Sequence, residues 1–328
     1  METSTQFKQN LHKVNAKDFN SIALTLFKIQ YRENEVYKNY IEQLGINPFL
    51  ITQIEEIPFL PISFFKTHTV TTGIWQPETI FTSSGTTGIT TSRHFVKDIA
   101  FYLNHAEQLF NSLFGSLTDY HFLALLPSYL EREGSSLVAM ADYFIKRSSS
   151  VHSGFYLNNL NELVQKIKLL KNGNRKIILL GVSFALLDLA ENYSLDLSHC
   201  TIMETGGMKG RRKEIIREEL HQTMRDRFNI AQITSEYGMT ELLSQAYSLQ
   251  NGYYQCPWSM KILIRDVYDP LQLEYVGRVG IIKVIDLANV DSCSFIETQD
   301  LGRLNSEGNF EVLGRVDNSD SRGCNLLV

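Results

Sequence analysis

The sequence lacks any apolar run close to the roughly 20 residues that a membrane-spanning helix requires. Its opening residues, METSTQFKQN, lack the charged-then-apolar pattern of a secretory leader. Both absences point to a cytoplasmic protein. An excess of one charge is also missing: 31 Lys and Arg against 36 Asp and Glu leave a formal charge of -5. No broad basic field is available to hold a nucleic acid, so any phosphate must be gripped locally. Cysteine is scarce, and Cys200, Cys256, Cys293 and Cys324 are spaced too widely for a paired metal-ligand motif or a disulfide framework. They read as reduced thiols. There is no internal repeat, low-complexity tract or flexible linker. Only seven prolines occur, four of them between Asn47 and Pro77, where the chain should be irregular and anchored by its aromatics.

What is present is core. In 328 residues, 43% are hydrophobic, enough for one large domain or two ordinary ones. Phe19, Ile22, Leu26 and Ile29 share a helical face that Val36, Tyr40 and Leu44 continue until Gly45. Helical and strand patterns then alternate. Ile99 to Phe114 reads as helix, Tyr120 to Leu126 as strand, Leu160 to Leu170 as helix and Lys176 to Leu180 as strand. Thr201 to Met203 follows as a short strand, Arg211 to Phe228 as a helix and Ile230 to Thr234 as a further strand. Such alternation predicts a largely parallel sheet covered on both faces. The final third, with MKILIRD, VGIIKVID and NFEVLGRV between Gly and Asp turns, predicts a small antiparallel sheet or barrel. The boundaries expected are a helical and proline-rich region over 1–76, an α/β core over 77–250 and a β-rich part over 251–328, all packed as one unit.

Two segments carry most of the chemistry. FTSSGTTG, Phe81 to Gly88, sets small hydroxylated residues around two glycines just after a predicted strand. Gly85 and Gly88 let the backbone approach a ligand, and Ser83, Ser84, Thr86 and Thr87 add hydroxyl donors to the main-chain N–H groups. This suits phosphate, although a plain surface turn has the same composition and the Walker spacing is absent. Arg93 follows closely enough to set a positive charge near a polyphosphate. SEYGMTE, Ser235 to Glu241, falls where a parallel strand should give way to its loop, the end at which α/β sheets bind ligands. Tyr237 offers a ring face, Gly238 permits a turn, Thr240 offers a hydroxyl and Glu241 a hard oxygen ligand for magnesium. A third element, ETGGMKGR from Glu204 to Arg211, sets Gly206 and Gly207 at another strand end.

In these segments, and in their order, the chain resembles the adenylate-forming superfamily of acyl-CoA synthetases, luciferases and peptide-synthetase adenylation domains. The resemblance implies an adenylate-forming large-domain fold, αβα-layered with largely parallel sheets and a small β-rich part near the C-terminus. It implies ATP as cosubstrate: Ser83 to Gly88 around the phosphates, Tyr237 against adenine, Gly206 and Gly207 in the adenine-side loop, and Glu241 holding magnesium beside Thr240. Asp300 in ETQDLGRL stands where the superfamily binds ribose, and LGRVDNSD, with Gly314, Arg315 and Asp317, is similar to its hinge segment. The superfamily normally continues into a small lid domain bearing a catalytic lysine; here the sequence stops at Val328, so that lid is expected to be missing.

LLPSYLEREGSSLVAMADYFI, Leu125 to Ile145, and the closing RGC are similar to the acyl-protein synthetases of bacterial bioluminescence, the LuxE family. That likeness implies a ligase that turns a carboxylic acid, here a fatty acid, into an acyl-adenylate, loads it on Cys324 and passes it to an acyl-reductase partner. Arg322 would favour the Cys324 thiolate, while the other three cysteines read as core. The attacking carboxylate needs no base, but the thiol does, and the sequence does not choose among His94, His105, His121 and His152. Phe122, Leu125 and Tyr129 suit either an apolar acyl pocket or a strand-to-helix core. Two further readings stay open: a coenzyme A ligase completed by a separate lid subunit, and a nucleotide-binding regulatory subunit without turnover.

Overall fold

The computed structural model describes residues 4–83, 90–127, 134–157, 159–206, 216–270 and 272–316. Along the chain the helices are α1 (Ser4–Asn10), α2 (Phe19–Glu33), α3 (Glu35–Gln43), α4 (Phe64–Thr67), α5 (Ile99–Phe114), α6 (Ser136–Arg147), α7 (Leu160–Leu170), α8 (Ser183–Asn192) and α9 (Arg217–Phe228). The strands of the first half are β1 (Leu60–Pro61), β2 (Thr79–Thr82), β3 (Arg93–Val96), β4 (Tyr120–Leu125), β5 (Gly154–Tyr156), β6 (Lys176–Val182) and β7 (Cys200–Thr205). Those of the second half are β8 (Thr234–Tyr237), β9 (Ala246–Ser248), β10 (Tyr253–Tyr254), β11 (Met260–Arg265), β12 (Gly280–Asp286), β13 (Phe295–Leu304) and β14 (Phe310–Arg315).

The central sheet runs β5-β4-β6-β7-β8-β9. Its first five strands are parallel, and β9 returns antiparallel to β8. β4 is buried at every residue and β6 at all but Lys176, as continuous apolar strands between two helical layers must be. Phe122 of β4 sits in an aromatic cluster with Phe110, Tyr120 and Phe144, ring centroids 5.2 to 6.0 Å apart. Phe122 and Leu125 are therefore core, and Tyr129 lies outside the described residues.

A second sheet, β10-β14-β13-β12-β11, is antiparallel throughout, with β1 added parallel to β13. This is the antiparallel part expected of the last third. A separate two-stranded hairpin pairs β2 with β3, Phe81 opposite His94 and Thr82 opposite Arg93. The segment after β2 thus leads in sequence into a second strand, RHFV, whose charged and polar residues mask the strand pattern.

Three further elements differ from expectation. The long N-terminal helix breaks at Asn34, whose side chain leaves the helical path to cap α3 by accepting from Tyr37 N–H. No strand forms over Ile230 to Ile233; Asn229 ends α9 in the left-handed conformation (φ 51°), and pairing begins at Thr234. The strand is TSEY itself, so the glutamate-tyrosine motif is half strand and half loop. Helices α6 and α8 have no counterpart in the sequence reading, and the portion of the Arg211 to Phe228 helix before Ile216 lies outside the described residues.

The N-terminal helices pack on the second sheet through Phe27 and Tyr37, which with Phe59 of the stretch before β1 surround Phe295 at 6.0 to 6.1 Å. Beneath them runs an irregular turn, residues 287–294, whose backbone polar groups need partners because water is excluded. Gln30 donates to the carbonyls of Asn289 (3.0 Å) and Val290 (3.3 Å) and accepts from Ser294 N–H (2.9 Å). Asn34 and Thr72 both donate to the Ser292 carbonyl. Gln30→Leu keeps the volume and orphans these groups, and is expected to destabilise the fold by about 2–4 kcal/mol. A lowered urea midpoint at unchanged m-value is the readout; an unmoved midpoint means the turn is held without Gln30.

Candidate active site

At the carboxyl ends of the central strands, three parts of the chain meet. The hairpin contributes Ser83, Ser92, Arg93 and His94. Ser83 N–H donates to the Ser92 carbonyl (3.1 Å) and Ser92 N–H to Ser83 Oγ (2.9 Å), which extends the stem one step beyond β2 and β3. His94 is 1% exposed and its Nδ1 lies 2.8 Å from the Thr240 carbonyl. As a carbonyl only accepts, Nδ1 carries the proton. Burial holds the imidazole down to about 4, against an ordinary 6.5, so the ring is neutral. This contact ties the stem of the hydroxyl-rich loop to the loop after β8. Arg93 is exposed, its guanidinium 5.7 Å from the Phe95 ring centroid. Ser84, Gly85, Thr86, Thr87 and Gly88 lie outside the described residues.

The second part is the β8 loop. Glu241 is 5% exposed; burial raises its carboxyl above the usual range, while the adjacent Ser92 hydroxyl favours the ionised form. Its carbonyl accepts from Asn289 Nδ2 at 2.8 Å. Past Leu242, the amides of Leu243 and Ser244 donate to Asp286 Oδ2 at 2.8 and 3.0 Å, and Ser244 Oγ donates to Oδ1 at 2.6 Å. Asp286 and Asn289 were missed in the sequence, where VIDLAN reads only as the end of a strand. Gly238 does not adopt positive φ. What it provides is space: a side-chain carbon there would overlap Oε1 of Glu236.

The third part is a polar trio on the other face of β8. Tyr237 OH donates to Asp300 Oδ2 (2.9 Å), and Arg315 Nε donates to Asp300 Oδ1 (2.9 Å). Asp300 and Arg315 are direct partners across β13 and β14. Asp300 is buried, whereas the Arg315 side chain is 70% exposed, so the trio runs from core to surface. The Tyr237 ring packs against Tyr254 and Phe310 and is 7% exposed; burial, then the Asp300 charge, raise its hydroxyl well above 10. It is a donor that stays protonated.

Beside these parts β7 ends at Thr205, and Gly206 turns with φ 73°, a conformation that favours glycine. Its carbonyl lies 3.1 Å from Ser183 Oγ, a hydroxyl that donates to the buried Glu204. Gly207 lies outside the described residues. Sequence reasoning also missed Glu204 and Glu236, both buried carboxylates, because each sits in a strand too short to show alternation.

The remaining chemistry-bearing residues lie elsewhere. His105 is buried, its Nε2 3.0 and 3.1 Å from Ser244 and Ser259 Oγ, and burial holds it down to about 3. His121 and His152 face each other near the amino end of β4, the opposite end from the site. Burial pushes the Cys200, Cys256 and Cys293 thiols up to about 12. Cys324 and Asp317 are outside the described residues. No group of three or more His, Cys, Asp or Glu suited to a metal occurs among the described residues, and no described helix is long and apolar enough to cross a membrane.

Solved structures share this arrangement of sheets. A crystal structure of 2-hydroxyisobutyryl-CoA ligase in complex with 2-HIB-AMP and CoA superposes at TM-score 0.69, with 13% identity, over 94% of this chain and 71% of that one. ATP-bound MatB from Rhodopseudomonas palustris superposes at 0.55, with 16% identity, over 72% of this chain and 47% of its own. The chain thus spans about half the length of MatB, and the fold is that of an adenylate-forming large domain. A long-chain-fatty-acid–luciferin-component ligase from Aliivibrio fischeri is 24% identical over 335 aligned residues, covering 92% of this chain and 85% of that protein. The profile described as acyl-protein synthetase, LuxE matches residues 129–328, and the chain belongs to that family.

The two neutral histidines set a pH dependence. An unfolded chain binds a proton at each as pH falls through 6.5; the folded chain does not until about 4 at His94 and about 3 at His105. Stability from both is full above pH 6.5 and is lost as pH falls from there toward their folded values. Glu241 and Asp286, raised by burial, act in the opposite sense. Comparison with His94→Asn, which keeps a donor for Thr240, isolates one group. The stability difference between wild type and variant is expected to shift in the variant's favour between pH 6.5 and about 4; a pH-independent difference refutes a neutral His94.

Proposed function

We propose that this chain activates a carboxylic acid with ATP as an acyl-adenylate and transfers the acyl group to the Cys324 thiol. The observation that carries the proposal is the His94 contact with Thr240, which joins the stem of the phosphate-type loop to the loop bearing Glu241. In this reading a carboxylate oxygen attacks the α-phosphorus of ATP, the bond to the bridging oxygen breaks, and pyrophosphate leaves. The thiolate of Cys324 then attacks the acyl carbon, the carbon–oxygen bond of the mixed anhydride breaks, and AMP leaves.

The first step opposes two anions, so charge must be neutralised in place. Ser83 to Gly88 supply N–H and hydroxyl donors to the phosphates, and the exposed Arg93 supplies a cation beside the stem. The desolvated carboxylate of Glu241 would hold a magnesium ion, with the Thr240 hydroxyl beside it. The metal would spread the charge on the departing pyrophosphate. Asp300 takes the ribose, with Arg315 and Tyr237 fixing its carboxylate. Gly206 and Gly207, with Tyr237 and Gly238, form the adenine side. Tyr237 acts there through its ring edge, since the ring is packed against Tyr254 and Phe310 and the hydroxyl is taken by Asp300. The acid class favoured by the family is a long-chain fatty acid, with an acyl reductase as the recipient partner.

Exchange of labelled pyrophosphate into ATP, driven by a panel of short, long and aromatic acids, tests the first step. Glu241→Gln is expected to reduce exchange at least about 100-fold with the urea midpoint little changed; exchange at wild-type rate removes Glu241 from the site. Cys324→Ala is expected to keep exchange and to lose the hydroxylamine-labile acyl label from the protein. Label that survives the substitution places the acceptor on another thiol.

A further inference from the structure

Glu236 is not accounted for by the steps above. It immediately precedes Tyr237, stands opposite Thr205 in the parallel β7–β8 ladder and opposite Tyr247 in the antiparallel β8–β9 pair, and is 6% exposed. A carboxylate buried between two strands is costly, so its contacts decide why a glutamate is held there. Oε2 accepts from Thr205 Oγ1, on the residue before the Gly206 turn. Oε1 lies against Gly238, in the space that a side chain at 238 would occupy, and the stem of Gln245 closes the far side of that space. Gly238 is not in the left-handed region, so its backbone would accept any residue. The conflict at 238 is with the carboxylate, not with the backbone. One side chain thereby touches both glycine turns that face the nucleotide side.

We propose that Glu236 is a positioning residue that locks the Gly206 turn to the Tyr237–Gly238 turn and so fixes the width of the cleft between them for a purine nucleotide. The proposal rests on the reading of these turns as the adenine side. Glu236 makes no contact with the reacting atoms in this scheme; it acts through Thr205 and Gly238. A side chain at 238 would have to displace this carboxylate from its place beside Thr205.

A double-mutant cycle over Glu236→Ala and Gly238→Ala tests both halves. AMP and ATP affinities are measured by titration, the urea midpoint of each protein is taken, and exchange kinetics supply KM for ATP and for the acid. Gly238→Ala in the wild-type background is expected to weaken nucleotide binding about 10-fold, with KM for ATP rising and KM for the acid unmoved. In the Glu236→Ala background the same substitution is expected to cost less than about twofold. Glu236→Ala alone is expected to weaken nucleotide binding, because the turns are uncoupled. Additive effects in affinity overturn the proposal, as does non-additivity in urea midpoint with nucleotide affinity unchanged. If Gly238→Ala fails to fold, a folded double variant supports the clash and an unfolded one refutes it. A wild-type protein that binds nucleotide and shows the coupling but no exchange refutes acid activation and leaves this inference intact; one that binds no nucleotide refutes both.

Discussion

The Asp286 carboxylate is the constraint on which the site depends. The loop after Tyr237 is neither helix nor sheet, so its amides have no ladder to satisfy them, and from Glu241 onward it is buried, so water cannot. Asp286 accepts from the amides of Leu243, Ser244 and Ala288 and from the Ser244 hydroxyl. Four donors on one carboxylate offset its desolvation in part; burial still leaves its carboxyl raised. The second sheet, through the end of β12, thereby dictates the path of a loop that leaves the first sheet. Asn289, three residues on, reaches back to the Glu241 carbonyl. Gln30 in turn holds the Asn289 carbonyl, so the N-terminal helices support the site at one remove.

The same loop is gripped from its other side by His94. A neutral imidazole suits this place because an imidazolium would set a full charge in the core, while an aliphatic residue would leave the Thr240 carbonyl without this donor. The charges that the site does keep are arranged by depth. Glu241 is buried with a serine beside it, Asp300 is buried but shared between a phenol and a guanidinium, and Arg315 reaches into solvent. A ligand with a negative phosphate end and a polar sugar would meet a cation at the rim and oxygens below.

Much of this was legible in the sequence wherever periodicity was long or residue chemistry distinctive. The helix over Ile99 to Phe114 and that over Leu160 to Leu170 have the bounds their apolar spacing predicts, and the hydroxyl-glycine and tyrosine-glutamate segments declared themselves by composition. What stayed hidden was hidden for physical reasons. β3 is four residues with Arg93 and His94 in it, so the hairpin could not be seen, and with it the contact to Thr240. β8 is TSEY, a strand buried at every position yet with polar side chains at three, because its burial is covered by partners far away in sequence. Asp286 and Asn289 are 45 and 48 residues beyond Glu241 in number, and only the meeting of two sheets makes them its neighbours. At Gly238 the backbone is not left-handed, and what stands beside it is the Glu236 carboxylate, which composition does not reveal.

The distribution of thiols carries one further step. A thiol held up to about 12 is ionised in only about one molecule in 10⁵ at neutral pH. Cys200, Cys256 and Cys293 are therefore poor nucleophiles toward an acyl-adenylate, whatever their distance from it, because the thiolate is the attacking species. Moving any of them toward reactivity would require opening the apolar packing that raises them, at the expense of the core they complete. A chain that acylates itself on sulfur is thus pushed to carry the acceptor away from its packed strands and beside a cation. Cys324, with Arg322 two residues before it, is the cysteine of this sequence that has an arginine or lysine within two positions along the chain.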